Sequence, residues 1–305
     1  MNGKTNKDQI LKMDNVFDYN EYYGLETLHP LVNVVDFSTF SPQRHRLYCA
    51  GFYAVFLKDV KCGDLIYGRQ TYDYQEGTVV CVAPGQVFGA KDTGETFQPK
   101  GWALVFHPDL LRGTSLGKNI RNYTFFSYQS REALHLSEQE RRTVVDCLRN
   151  ILHELQRPVD RHSRTLIVGN IEMLLNYCIR FYDRQFITRS NIAGKDILVR
   201  FEELLHTYFA TDKPQTIGVP TVQYCASELH LSPNYFGDLI KKETGKTAQE
   251  YIQQLIIDTA KEKIFDHRLT IGQIAYELGF KYPAHFTRLF KNVVGVTPNQ
   301  YRAAN

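Results

Sequence analysis

A chain of 305 residues is long enough for two domains, and 43% hydrophobic with 23% charged residues excludes a disordered or low-complexity polymer. The formal net charge of +3 is too small to point to nucleic acid by total charge, so such a partner must be argued from where the basic residues sit. No run of about eighteen apolar residues is present, and the polar start Met1-Asn2-Gly3-Lys4 lacks a secretory hydrophobic stretch, so a cytoplasmic protein without a membrane partner is expected.

Residues 31 to about 108 contain short apolar runs: Leu31 to Phe37, Phe52 to Val60, Thr78 to Ala83 and Trp102 to Phe106. Turn signals at Gly63-Asp64, Glu76-Gly77, Pro84-Gly85 and Lys100-Gly101 separate them. That rhythm predicts a small antiparallel barrel or jelly roll. His29, His45 and His107 are scattered without ligand spacing and no His-x-His occurs, so no metal, cofactor or catalytic centre is expected. Six cysteines, Cys49, Cys62, Cys81, Cys147, Cys178 and Cys225, show no close paired spacing. Buried free thiols are the expectation, with a redox sensor as the alternative.

Two strong helices follow. The first opens on the capping box Ser137 to Glu140, places Val144, Leu148, Ile151 and Leu155 on one stripe, and is ended by Pro158. The second carries Ile167, Ile171, Leu174, Cys178 and Phe181. One of these stripes either packs on the barrel or forms the seam of a homodimer. A linker near Arg189-Ser190-Asn191, a helix from Asp196 to Phe209 and a loop at Asp212-Lys213-Pro214 come next. The implied division is 1–130 for the β-rich domain, 131–190 for the helical hairpin as dimerisation region, and 191–305 for an all-α domain, an α+β multidomain chain.

The all-α domain contains one helical pattern twice. Ala226, Leu229 and Leu231 recur 49 residues later as Ala275, Leu278 and Phe280. Then Pro233, Phe236, Ile240, Lys241, Gly245, Thr247 and Tyr251 recur 50 residues later as Pro283, Phe286, Phe290, Lys291, Gly295, Thr297 and Tyr301. The slip makes the second turn one residue longer. Each copy reads as a helix-turn-helix. The second starts on the capping box Thr270 to Gln273, turns at Gly279 and restarts at Pro283, with Phe286, Leu289 and Phe290 on the buried face. The first has Ser232 as N-cap, with Phe236, Leu239 and Ile240 buried.

Between the copies a helix from about Thr247 to Asp266 carries Ile252, Leu255, Ile256, Thr259, Ala260 and Ile264. Its length of roughly 30 Å is near the ~34 Å between successive major grooves on one face of B-DNA, so two recognition helices could read adjacent grooves.

The segment 195–303 resembles the DNA-binding domain of the AraC/XylS family of bacterial regulators. Ile274-Ala275 through Gly279-Phe280, His285-Phe286, Arg288, Phe290-Lys291, Gly295, Thr297-Pro298 and Tyr301-Arg302 carry the likeness. In that family the N-terminal module looks like a cupin-type effector domain, and Tyr74 to Thr78 through Ala83-Pro84-Gly85 resembles the strand and turn of metal-binding cupins. Phe88 stands near the place of a ligand histidine, so the resemblance implies metal-independent binding of an organic effector. Ile256 departs from the family, which commonly has arginine there.

On the second recognition helix Ala284, Thr287, Arg288 and Lys291 should face DNA. Arg288 is the base reader, able to grip guanine O6 and N7 together, with phosphate binding as the alternative; Lys291 is assigned to phosphate. His285 either contacts the DNA backbone or fills a gap beneath the helix. On the first, Asn234, Gly237, Asp238 and Lys241 are the matching positions. Asn234 suits an adenine edge, while Gly237 offers nothing and Asp238 repels phosphate unless it accepts from cytosine N4. The expectation is a sequence-specific regulator with double-stranded DNA as partner, a small-molecule effector whose binding residues are not assigned, and RNA polymerase as a further partner. The alternatives are a DNA-binding protein without an effector and a cupin-type enzyme carrying a DNA module.

Overall fold

The computed structural model describes residues 10–59, 77–90, 92, 94–128, 132–189 and 195–304. Cys62, the turn at Gly63-Asp64, the stretch Tyr74 to Glu76 and the linker at Ser190-Asn191 lie outside the described residues. The chain divides into two units, 1–185 and 186–305.

In the first unit the strands are β1 (Leu11–Met13), β2 (Val32–Asp36), β3 (Gln43–Arg44), β4 (Leu47–Ala50), β5 (Tyr53–Lys58), β6 (Thr78–Val82), β7 (Val87–Gly89), β8 (Thr96–Phe97), β9 (Gly101–Phe106) and β10 (Leu134–His135). Helix α1 (Val16–Tyr23) follows β1, α2 (Ser115–Asn119) follows β9, and α3 (Glu138–Leu155) and α4 (Ser163–Arg189) close the unit. The ladders form three sheets: five strands in the order β10-β6-β5-β9-β2, all antiparallel, then β1-β4-β7 and the pair β3-β8.

The five-stranded sheet is covered on both faces, which is why its strands read as unbroken apolar runs instead of alternating ones. One face presents Val35, Ala54, Val82, Ala103 and Val105, packed with Met13, Val16, Tyr19 and Ala50 from the smaller sheet and α1 and with Phe52 from the turn between β4 and β5. Val34, Leu104, Val55 and Cys81 form a cross-strand row on the other face. There α3 packs on β2 and β9, and Phe125 stacks on Tyr182 of α4 at 5.5 Å. Helix α1 was not foreseen; Asn15 and Asp18 build its capping box. The box at Ser137 and Glu140 starts α3 as expected, and the helix stops at Leu155, before Pro158.

Buried Gln185 fastens α4 to the last strand: its carbonyl accepts from the His135 amide at 2.7 Å and its amide donates to the Ala133 carbonyl at 3.2 Å. Ile167, Ile171, Leu174, Cys178 and Phe181 are all buried within the protomer. The seam expected from that stripe is therefore corrected to internal core. Buried inside the unit, these five side chains have almost no surface left for a second copy.

The second unit is all α: α5 (Lys195–Ala210), α6 (Lys213–Ile217), α7 (Val222–Glu228), α8 (Pro233–Thr244), α9 (Ala248–Ile264), α10 (Ile271–Glu277), α11 (Pro283–Val294) and α12 (Pro298–Ala304). The loop expected at Asp212-Lys213-Pro214 is the start of α6, because proline tolerates the first helical turn. Helix α9 is the spine, touching α8, α10 and α11, and so buries Ile252, Ile256, Ile257, Ala260 and Ile264 on more than one side. Leu255 and Thr259, expected on its stripe, are only half-buried. Ile256, the family departure, is fully buried core. At its far end Arg302 Nε donates to the Ile264 carbonyl at 2.8 Å, satisfying an acceptor that the helix terminus leaves open.

Candidate nucleic-acid interface and ligand pocket

The two helix-turn-helix copies are present as α7–α8 and α10–α11, and the connecting segments, 229–232 and 278–282, differ by the one residue the sequence slip requires. In α10 the Thr270 hydroxyl accepts from the Gln273 amide and the Gln273 side chain accepts from the Thr270 amide, at 3.2 and 2.8 Å. Ser232 caps α8 by accepting from the Tyr235 amide at 3.3 Å, whereas Tyr282 before α11 offers no side-chain cap. Proline begins both recognition helices.

In α11 Phe286 and Phe290 are fully buried, and Phe290 packs edge-on to Tyr301 of α12 at 5.6 Å. That anchoring turns Ala284, His285, Arg288 and Lys291 outward as one exposed face. The helix contains no carboxylate, and among the described residues none pairs with Arg288 or Lys291. Both cations are thus available to an external anion. Thr287 is half-buried and its hydroxyl donates to the Pro283 carbonyl at 3.1 Å, so its methyl is the part of the side chain left uncommitted. His285 is exposed beside the Tyr282 ring, 5.6 Å between ring centroids. Asn292 is exposed too; its place follows Lys291 on the same face and was missed because asparagine carries no charge signal.

In α8 Tyr235, Phe236, Leu239 and Ile240 are buried and Phe201 of α5 meets Phe236 at 4.9 Å. Asn234 and Lys241 are exposed, Gly237 and Asp238 half-buried. This helix carries Asp238 and Glu243 against Lys241 and Lys242, so it lacks the single-signed field of α11.

The first unit encloses a cavity of about 170 Å³ between the two larger sheets. Its wall is aromatic: Tyr48 stacks on Phe88 at 5.5 Å, Phe56 leans on Phe88 at 5.6 Å, and Tyr23 on Phe40 at 5.5 Å. Phe88, read as replacing a metal ligand, is part of this wall. The Tyr23 hydroxyl donates to Tyr48 at 3.1 Å, and burial raises both phenols above their ordinary pKa, keeping them neutral. Arg44, His45, Arg46, Lys58 and Lys100 complete the lining. Arg46 is set there by a close approach: its carbonyl accepts from Ala90 at 3.2 Å, and a Cβ on Gly89 would lie 2.0 Å from that oxygen. His29 and His107 lie elsewhere, each accepting a backbone amide through Nδ1, so the three histidines do not converge. Among the described residues no group of three metal-binding side chains forms. The cavity itself was not assigned from the sequence; the tyrosines of α1 and the run Arg44-His45-Arg46 were its only local signal.

Residues 225–304 match the family model of a helix-turn-helix domain. An HTH-type transcriptional regulator of Bacillus subtilis, YobQ, is 34% identical over 82 residues, 27% of this chain and 34% of that protein. The HTH-type transcriptional activator RhaR of Shigella dysenteriae is 26% identical over 163 residues, 52% of this chain and 54% of that protein. Among solved structures, the C-terminal domain of AraT, a response regulator from Geobacillus stearothermophilus, is 28% identical, covering 36% of this chain and 85% of that one, with a TM-score of 0.32. The chain spans about half the length, or less, of the curated relatives it matches. Two capped helix-turn-helix copies on one buried spine, matched over 225–304 to that domain, give this chain an AraC-type helix-turn-helix domain at its C-terminal end.

Proposed function

We propose that the chain is a sequence-specific DNA-binding transcription regulator that reads double-stranded DNA through α8 and α11 and responds to a small molecule bound in the cavity of its first unit. The observation that carries this is the exposed face of α11, where among the described residues Arg288 and Lys291 stand without a carboxylate partner on a helix held by Phe286 and Phe290. Helix α9, 17 residues or roughly 25 Å long, sets the two recognition helices apart on a scale comparable to successive major grooves. Asn234 is the adenine reader of the first copy, Lys241 its phosphate contact, and Asp238 accepts from cytosine N4.

Not an enzyme, this regulator works in the cytoplasm as a homodimer and contacts RNA polymerase. The absence of a described helix long and apolar enough to cross a membrane supports the placement. For the homodimer, the exposed side of α4 with Leu166 and Met173 replaces the buried stripe. The test is footprinting on a selected site: protection of two adjacent major grooves on one face, about 15–20 base pairs per protomer, is expected. Protection of one groove alone removes α8 from the reading.

A further inference from the structure

We infer that the cavity of the first unit takes a small organic acid, an apolar or aromatic body bearing one carboxylate, instead of a neutral polyol; this rests on the reading of that cavity as the effector site. Among the described residues the charge that Arg44, Arg46 and Lys100 bring to the lining is one-signed, and no described aspartate or glutamate lines it. Elsewhere in the same unit several arginines are matched: Arg112 with Asp109, Arg141 with Asp59, Arg142 with Glu138, Arg184 with Glu140. Among the described residues Arg44, Arg46 and Lys100 have no such carboxylate. Cations gathered at an apolar cavity repel one another and are relieved by an anion brought from outside, and arginine grips a carboxylate with two parallel hydrogen bonds.

The interior fixes the body of the ligand. Its walls are rings and aliphatic side chains, including Phe56, Val80, Val82 and Phe88. The hydroxyls of Tyr23 and Tyr48 are already bonded to each other, so a polyol would bury hydroxyls with too few partners. His45 stacks flat on Phe97 at 4.4 Å, extending the aromatic surface to the basic side. An apolar body therefore gains from burial where the rings are, while its carboxylate reaches the cations.

The experiment is calorimetric titration of the full chain with 2-naphthoate, with its neutral counterpart 2-naphthalenemethanol, and with arabinose as a polyol. Naphthoate is expected to bind about tenfold or more tightly than the alcohol, in line with the strength of charge-assisted hydrogen bonds, and to weaken with added salt. Arabinose should not bind. The double variant Arg44→Gln/Arg46→Gln, whose side chains are exposed and whose folding is checked by circular dichroism, should lose that preference, and Lys100→Gln should reduce it. Equal binding of naphthoate and the alcohol, or an unchanged preference in the double variant, would overturn the anion while leaving the cavity as a ligand site. If neither aromatic probe binds to chain that still binds DNA, the cavity is no effector site and both readings fall.

Discussion

His230 and Gly279 occupy the same backbone position in the two helix-turn-helix copies, and both are left-handed, at φ +59° and +90°. The hydrogen bonds correspond one for one. His230 donates to the Ser227 carbonyl and Leu231 to Ala226, as Gly279 does to Tyr276 and Phe280 to Ala275. This is the two-bond stop of a helix followed by a left-handed residue, and only one copy fills it with glycine. The first pays in backbone strain for a side chain at that corner; the second has no choice, because a Cβ on Gly279 would lie 2.6 Å from the backbone carbon of Gly218.

His230→Gly is therefore expected to stabilise the protein by about 0.5–1 kcal/mol, the left-handed strain relieved less the added freedom of the unfolded chain. Gly279→Ala should destabilise it by roughly 2 kcal/mol or more through strain and overlap. Urea unfolding of both variants measures this, and a stabilised Gly279→Ala would refute the steric account.

On DNA, Arg288→Ala is expected to lose about 1–3 kcal/mol on the preferred site and to flatten sequence preference. Lys291→Ala should weaken all sequences alike and lower the salt slope by about one. Equal loss on specific and random DNA for Arg288→Ala would make it a phosphate contact.

Leu174→Lys should unfold the first unit instead of dissociating a dimer, since Leu174 is fully buried and an ammonium there has no partner. Circular dichroism and sedimentation together read this; a folded monomer would return the stripe to an interface.

Burial pushes the thiols of Cys147 and Cys178 up to about 11 and about 12, that of Cys225 to about 12, and that of Cys81 well above the ordinary range. Folded protein treated with iodoacetamide at pH 8 should show these four protected by peptide mapping, and half-buried Cys49 modified faster. Rapid modification of Cys178 would contradict its place in the core and favour the redox-sensor reading.

Arg268 holds the Asp266 carboxyl down to about 2 through its guanidinium and backbone amide. A depressed carboxylate stabilises the folded state above its unfolded pKa and loses that contribution as pH falls toward 2. Arg268→Ala should raise the Asp266 midpoint toward the ordinary range in a carbon-detected titration, with a small effect on stability because the pair is exposed. An unmoved midpoint would assign the shift to another cause.

What could be read from the sequence alone was whatever local chemistry settles. The four long strands of the main sheet were legible because burial on both faces leaves an unbroken apolar run, and the helix starts at Ser137, Ser232 and Thr270 because a cap is complete within four residues. The repeat predicts both second helices and the outward Ala284, Arg288 and Lys291, since Phe286 and Phe290 fix which face of α11 is inside; Thr287, Gly237 and Asp238, expected outward too, are half-buried. Strands such as Gln43–Arg44 and Thr96–Phe97 were not legible: two residues carry no period, and only pairing across the fold makes them strands. Tertiary structure alone decided which way the stripe of α4 faces, because an apolar stripe looks the same against its own sheet or a second copy. It alone gathered Arg44 and Lys100 beside Phe88, residues far apart in the chain that long-range strand pairing brings to one cavity.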